Sequence, residues 1–195
     1  IGCGYLSQTI AQAVKSGSLA GYELVAVLGR NPIRTKQFAD YFNCTPCTNI
    51  DAFMALKPEF VAEAASAVSV IDYCEKILAA GSHLIVLSTA AFADVALYQR
   101  AIAVALKNNT KIYIAGGATG GFNLLQTASF MSSTPIDVTI TSKKSPGFIA
   151  RTPFNKEGLM NITEPERVFS GTAKEIIDIF PYVFNVIYAT SLGSA

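Results

Sequence analysis

Ile1-Gly-Cys-Gly4, running straight into the helix-like stretch Tyr5 to Lys15, reads as the end of a strand, a tight turn and the first turn of a helix. Gly2 permits the bend, and Gly4 removes the Cβ that would keep a pyrophosphate away from the backbone and the helix N-terminus. Ser7 stands at the third position of the Gly-x-Gly-x-x-Gly pattern, where a small side chain still lets helix and strand pack closely. The turn predicts a dinucleotide site, with Tyr5 and Leu6 beside the phosphates. Ile1 alone represents the preceding strand, which is central in a doubly wound sheet and whose loss would leave its neighbours' buried backbone groups unpaired. A chain truncated at its start is expected on that ground, and one cut at its end because no terminating signal follows the helix that begins near Asn185.

Outward from the turn, hydrophobic periodicity predicts helices near 5–16, 34–42, 50–56, 69–80 and 93–107, alternating with strands at 23–29, 44–48, 60–63, 84–88 and 111–115. Such alternation gives an α/β fold, a doubly wound parallel sheet of Rossmann type covered on both faces. The continuous apolar runs Leu24–Leu28 and Leu84–Leu87 suit strands buried on both sides. After Ala115 the pattern changes. Gly116, Gly117, Gly120 and Gly121 form a flexible turn, followed by a short helix, an alternating strand Ile136 to Thr141, and a Pro/Gly-rich loop from Ser145 to Gly158. Residues 1–115 are therefore read as the dinucleotide-binding domain. Residues 116–195, with helices near 172–180 and from Asn185, are read as part of a second, smaller α+β domain.

Composition narrows the function. Hydrophobic residues make up 51% and charged ones 15%, the signature of a core-rich protein rather than a disordered one. Fifteen basic against fourteen acidic residues leave a formal charge of +1 with no basic run, so nucleic acid and anionic membrane are not expected partners. The apolar run Pro181 to Tyr188 is too short to span a bilayer and contains Asn185. Cys3, Cys44, Cys47 and Cys74 are too few for a disulfide framework, and a reducing cytoplasm is the expected compartment. Cys44-Thr-Pro-Cys47 has the spacing of a redox pair or half a zinc site, but there is no second pair, and His83 is the only histidine. Two cysteines in a short strand and turn, with no metal, is the expectation.

In open α/β sheets, ligands bind beyond the carboxyl ends of the strands. The second strand ends in Gly29-Arg30-Asn31, where NAD-specific proteins usually carry an acidic side chain for the ribose. Arg30 offers a fork of donors to a 2′-phosphate and a flat face to adenine, so NADP is expected, alone or alongside NAD, with Asn31 also in contact. The alternative for Arg30 is a solvated residue at a helix start. Glu63-Ala-Ala-Ser66 and Ser88-Thr89-Ala90 end the next strands, and Ala64, Ala65, Ser66, Ser88 and Thr89 are small enough to leave room for a ribose and nicotinamide. Ser66 or Ser88 alternatively serves as a helix N-cap. His83 begins its strand at the edge away from the crevice, which argues against catalysis. Lys143 and Lys144, with Arg151 in the next loop, suit the two carboxylates of a dicarboxylate substrate or are solvated cations at a strand end.

Several segments together resemble the L-aspartate dehydrogenase family: Glu63-Ala-Ala-Ser66, Leu87-Ser-Thr-Ala-Ala-Phe-Ala-Asp94 and Ile112-Tyr-Ile-Ala-Gly-Gly-Ala-Thr-Gly-Gly-Phe-Asn123. To these are added Thr141-Ser-Lys-Lys-Ser-Pro146, Phe169-Ser-Gly-Thr-Ala-Lys-Glu175 and the run from Phe180-Pro181 to Asn185-Val186. The resemblance implies a nucleotide-binding domain joined to a substrate and dimerisation domain, a homodimer, and oxidation of aspartate to iminoaspartate, which hydrolyses to oxaloacetate and ammonia. It also implies cofactor contacts at Ala118 and Asn185. This chain has Gly116-Gly-Ala-Thr-Gly-Gly-Phe-Asn123 where the family pattern reads Ser-Gly-Ala-Ile-Gly-Gly-Leu-Asp, so a hydroxyl and a carboxylate are absent from that turn. The family's catalytic histidine falls beyond the segment matching Asn185, so the acid–base group is expected outside these residues. Another small oxidoreductase acting on an aldehyde or semialdehyde, or a nicotinamide-binding sensor without turnover, are the rival readings.

Overall fold

Hydrogen bonds from Ile1 and Gly2 decide how the sheet is assembled. In the computed structural model, which describes residues 1–116, 120–180 and 185–193, two parallel sheets flank the first two residues. Strands β1 (Ala26–Leu28) and β2 (Thr45–Cys47) pair with Ala26 beside Thr45. Strands β3 (Phe60–Glu63), β4 (His83–Val86) and β5 (Ile112–Ile114) run in that order, with Phe60 beside His83 and Leu84 beside Ile112. Between the two sheets the Ile1 nitrogen donates to the Ala62 carbonyl at 2.6 Å, and the Ala64 N–H donates to Ile1 O at 3.0 Å. On the other side Gly2 N–H donates to Leu28 O at 2.8 Å. Ile1 and Gly2 thus stand at the central position of a doubly wound sheet, with β1 and β2 to one side and β3, β4 and β5 to the other.

Helices α1 (Tyr5–Lys15), α2 (Pro32–Phe42), α3 (Ile50–Met54), α4 (Ala67–Ala79) and α5 (Val95–Lys107) connect the strands. Their starts are written in the sequence. Asn31, Asn49, Ser66 and Asp94 each accept a hydrogen bond from the backbone N–H three residues on, satisfying one orphan donor of the first turn. Asp94 also divides what periodicity reads as one helix from 93, because a 3-10 turn (Thr89–Ala93) precedes the cap and α5 begins only after it.

The core confirms two-sided burial for β1 alone. Val27 packs with Ala11, Phe38 and Ala39 of α1 and α2, while Leu28 joins the larger cluster formed by Val61, Val70, Cys74, Ile77, Leu84, Val86, Leu97 and Ala101. On β3 and β4 burial alternates. Val61, Glu63, Leu84 and Val86 are buried, whereas Phe60, Ala62, His83 and Ile85 are only half-buried. On that second face Tyr22, Phe60, His83 and Tyr113 form a row of ring contacts, with centroids 5.0–6.4 Å apart. A continuous apolar run therefore overstated burial on both faces of β4.

Beyond β5 lie α6 (Phe122–Met131), the short α7 (Pro146–Ile149), α8 (Ala173–Ile179) and α9 (Asn185–Gly193). Two expectations fail here. Ile136 to Thr141 forms no strand, and Val138 and Ile140 are exposed. Alternation supplies an apolar edge but no neighbour for the backbone groups, and a ladder needs that neighbour. The segment read as loop from Ser145 contains α7, started by a Ser145 cap and a proline in the first turn. Among the described residues no helix is long and apolar enough to cross a membrane.

Candidate dinucleotide site

The glycine turn meets the physical requirements of a phosphate cradle. Gly2 adopts φ +103°, and a Cβ there would lie 2.7 Å from the Ala64 carbonyl, so this turn admits only glycine. Gly4 is different: a Cβ built on it meets nothing within 4 Å, and would project into open space beside the start of α1. Gly4 also caps α1 without a side-chain bond, and the first turn holds no acidic residue. By contrast, α2, α3, α4 and α5 all begin with side-chain caps. The first N–H groups of α1 are therefore left for an anion, and the residues present fit a dinucleotide's pyrophosphate. Tyr5 and Leu6 are exposed at this opening, and Ser7 is buried, its hydroxyl 3.4 Å from Ala64 O.

Across the crevice the floor is organised by Glu63, a residue that sequence reading passed over. It is 1% exposed, yet its carboxylate accepts four hydrogen bonds. Oε1 takes Ala65 N–H at 2.8 Å, Ser66 N–H at 2.9 Å and the Ser88 hydroxyl at 3.1 Å, while Oε2 takes Ser88 N–H at 3.0 Å. One buried charge is thereby compensated entirely by donors from the ends of β3 and β4, fixing the two ends relative to one another. The signal in the sequence is a lone acidic residue closing the otherwise apolar Phe60-Val-Ala-Glu63.

The small residues expected to line the crevice divide according to what their side chains already do. Ser66 is the N-cap of α4, accepting from Ser69 N–H, so its hydroxyl has the capping role. Ser88 makes no cap bond and is committed to Glu63 instead. Thr89 is buried and donates its hydroxyl to the main-chain carbonyl of Asn185 at 2.8 Å, while Ala90 N–H donates to Asn185 Oδ1 at 3.0 Å. Asn185, at the start of α9, is thus brought to the strand ends. Since Ala90 supplies a donor, the Asn185 carboxamide must turn its oxygen inward and keep its NH₂ for another partner. Ala64 is half-buried and Ala65 exposed beside them. Ala118 lies outside the described residues.

At the end of β1, Arg30 is exposed, and Asn31 is spent on capping α2 by accepting from Arg34 N–H at 3.1 Å. Lys143 and Lys144 are exposed on the stretch before α7, and the Lys144 ammonium stands 5.3 Å from the Phe148 ring centre. Arg151 is exposed just after α7. His83 begins β4 at its amino end, where its Nδ1 accepts from Lys111 N–H at 3.1 Å, away from the strand ends that carry Glu63 and Ser88. The cysteines are free thiols. Burial, with Cys3 and Cys47 nearby, pushes Cys44 up to about 11, and burial raises Cys47 too, the opposite of an activated redox pair. Among the described residues no cluster of His, Cys, Asp and Glu could hold a metal.

Comparison with known proteins finds matches along both parts of the chain. Residues 2–115 match the homoserine dehydrogenase NAD-binding domain, and residues 123–195 match the C-terminal region of aspartate dehydrogenase. An L-aspartate dehydrogenase from Methanococcus maripaludis is 32% identical over 196 residues, covering 100% of this chain and 72% of the relative. One from Archaeoglobus fulgidus is 31% identical over 194 residues, covering 100% and 70%. Among solved structures, aspartate dehydrogenase from Thermotoga maritima matches with a TM-score of 0.60 and 20% identity, over 93% of this chain and 68% of that one. The WlbA dehydrogenase from Bordetella pertussis, solved with NADH and UDP-GlcNAcA, matches with 0.56 and 14%, over 66% and 40%. These two structures share the fold. Identity of this depth from end to end, with both family models met in order along the sequence, means that the chain belongs to the L-aspartate dehydrogenase family and is an NAD(P)-dependent oxidoreductase.

Proposed function

We propose that this protein oxidises L-aspartate to iminoaspartate, which hydrolyses to oxaloacetate and ammonia. The observation that carries the reading is the sequence identity to L-aspartate dehydrogenases across the whole chain, including its second half, which matches the C-terminal region of aspartate dehydrogenase. A bound oxidised nicotinamide supplies the acceptor for the hydride that leaves the substrate's Cα. The amine would give up a proton to solvent, leaving an imine that water hydrolyses to oxaloacetate and ammonia.

The chain's own residues supply position and charge. Gly2, Gly4 and the N–H groups at the start of α1 hold the pyrophosphate. Glu63 keeps the Ala65–Ser66 and Ser88 backbone in one arrangement at the crevice floor, and Asn185 presents its NH₂ to a carbonyl or carboxylate oxygen. Lys143 and Lys144, both exposed residues, are assigned to the two carboxylates of the substrate.

The same reading divides the chain into a dinucleotide-binding domain over 1–115 and a substrate and dimerisation domain from 116. It includes a homodimer in the cytoplasm. In support of the dimer, α6 buries none of its residues and exposes Leu124, Phe130 and Met131, an apolar helix suited to a second copy. The four free thiols suit a reducing compartment. The test is consumption of reduced cofactor with oxaloacetate and ammonia. Turnover that requires all three components supports the reading; turnover with semialdehydes and none with oxaloacetate and ammonia overturns it.

A further inference from the structure

The end of β1 carries an unusual plug. Where an acidic side chain would reach the adenosine ribose, the chain has Gly29, and a Cβ there would lie 2.2 Å from Thr35 Oγ1 and 2.7 Å from Cys3 Sγ. Neither neighbour can easily give way. Thr35 is 0% exposed and its hydroxyl donates to Asn31 O at 2.7 Å, within the first turn of α2. Cys3 sits in the glycine turn itself, its sulfur 3.6 Å from the same hydroxyl. The room from which a ribose-binding carboxylate would start is therefore filled from two sides, by α2 and by the phosphate turn.

Around the plug the charge has one sign. Arg30 and Arg34 are both exposed, and neither forms an ion pair among the described residues. The first turn of α2 contains no acidic residue, and the Asn31 carboxamide oxygen is used as the cap. Arg34 also lines a cavity of about 600 Å³ between α1 and α2, together with Cys3 and Tyr5 of the phosphate turn.

From these observations we infer that the site selects the 2′-phosphorylated cofactor, NADP over NAD, with Thr35 and Cys3 excluding a ribose-binding carboxylate and Arg30 and Arg34 receiving the 2′-phosphate. Filling and charge act together. A guanidinium gains a charge-assisted, two-pronged partner only from the phosphorylated ribose, whereas the plain 2′-hydroxyl meets no carboxylate in the first turn of α2. The inference rests on the dinucleotide reading of the site and is independent of which amino acid is oxidised.

Calorimetric titration of the purified protein with NADP⁺, NAD⁺, 2′,5′-ADP and 5′-AMP tests it without turnover. NADP⁺ is expected to bind at least about tenfold more tightly than NAD⁺, with the same order for 2′,5′-ADP over 5′-AMP and a steeper loss with added salt for the phosphorylated pair. The double variant Arg30→Ala with Arg34→Ala is expected to lose more affinity for NADP⁺ than for NAD⁺. Gly29→Asp alone is expected to lower the thermal unfolding midpoint, and Gly29→Asp with Thr35→Ala and Cys3→Ala to regain part of it and shift preference toward NAD⁺. Equal or tighter binding of NAD⁺ by the natural chain, or a ratio unmoved in the arginine variant, overturns the selectivity. Failure of every dinucleotide to bind the folded protein overturns the site itself, and lack of activity with aspartate touches neither.

Discussion

Ser88 gives both its main-chain N–H and its hydroxyl to the buried carboxylate of Glu63, at 3.0 and 3.1 Å, so that the end of β4 hangs from the end of β3. Glu63→Gln keeps the shape but sets an NH₂ against donors. The expected outcome is a loss of about 2 kcal/mol in unfolding free energy, together with weaker cofactor binding as the crevice floor loosens. Ser88→Ala removes one bond of the set and is expected to cost about 1 kcal/mol. Denaturant unfolding and calorimetry on the same samples measure both effects; unchanged stability in Glu63→Gln would refute the clamp.

The two glycines of the turn separate folding from binding. Gly2→Ala forces an L side chain into a positive φ and against Ala64 O, and is expected to destabilise by at least about 2 kcal/mol. Gly4→Ala meets no protein atom and is expected to unfold normally while binding dinucleotide poorly. Thermal melts and cofactor titrations should therefore rank the two variants in opposite orders.

Asn185 offers an equally sharp contrast. Asn185→Asp keeps an oxygen for the Ala90 N–H but replaces the outward NH₂ with an acceptor. Its melting temperature is expected to stay close to that of the natural protein, while cofactor affinity falls about tenfold. A variant that melts much earlier with affinity intact would show that Asn185 serves only to hold α9.

Thiol ionisation sets an alkaline limit. Burial, with Cys3 and Cys47 adding to it, holds Cys44 at about 11 in the folded chain, against 9.0 when exposed. Burial, aided by neighbouring Glu75, does the same for Cys74. A pKa raised by folding stabilises the fold fully below the exposed value, and that contribution is lost as pH rises through the folded one. Stability is therefore expected to fall between pH 9 and 11, and to fall less steeply in Cys44→Ala with Cys74→Ala. Thermal unfolding across that range reads the difference.

Much of this was legible in the order of residues because local rules carry it. Gly2 and Gly4 announce a turn that only particular backbone angles permit, and Ser66 was open to the capping role it has, whereas Asn31, read as a cofactor contact, proves to cap α2. Glu63 was not legible: an acidic residue ending a strand looks the same whether it enters solvent or turns inward to four donors. Nor was the attachment of Asn185, since its partners Thr89 and Ala90 stand 96 and 95 positions away. Alternation misled at Ile136–Thr141 because periodicity describes one segment's faces and is silent on whether a second segment lies alongside.

The bonds from Thr89 and Ala90 fasten the start of α9 to the segment that follows β4. Whatever steadies the β4 end steadies the opening turn of α9, and whatever shifts α9 bears on the strand ends that Glu63 and Ser88 join. Two hydrogen bonds thus join residues nearly a hundred positions apart, tying the opening turn of α9 to the backbone just past β4.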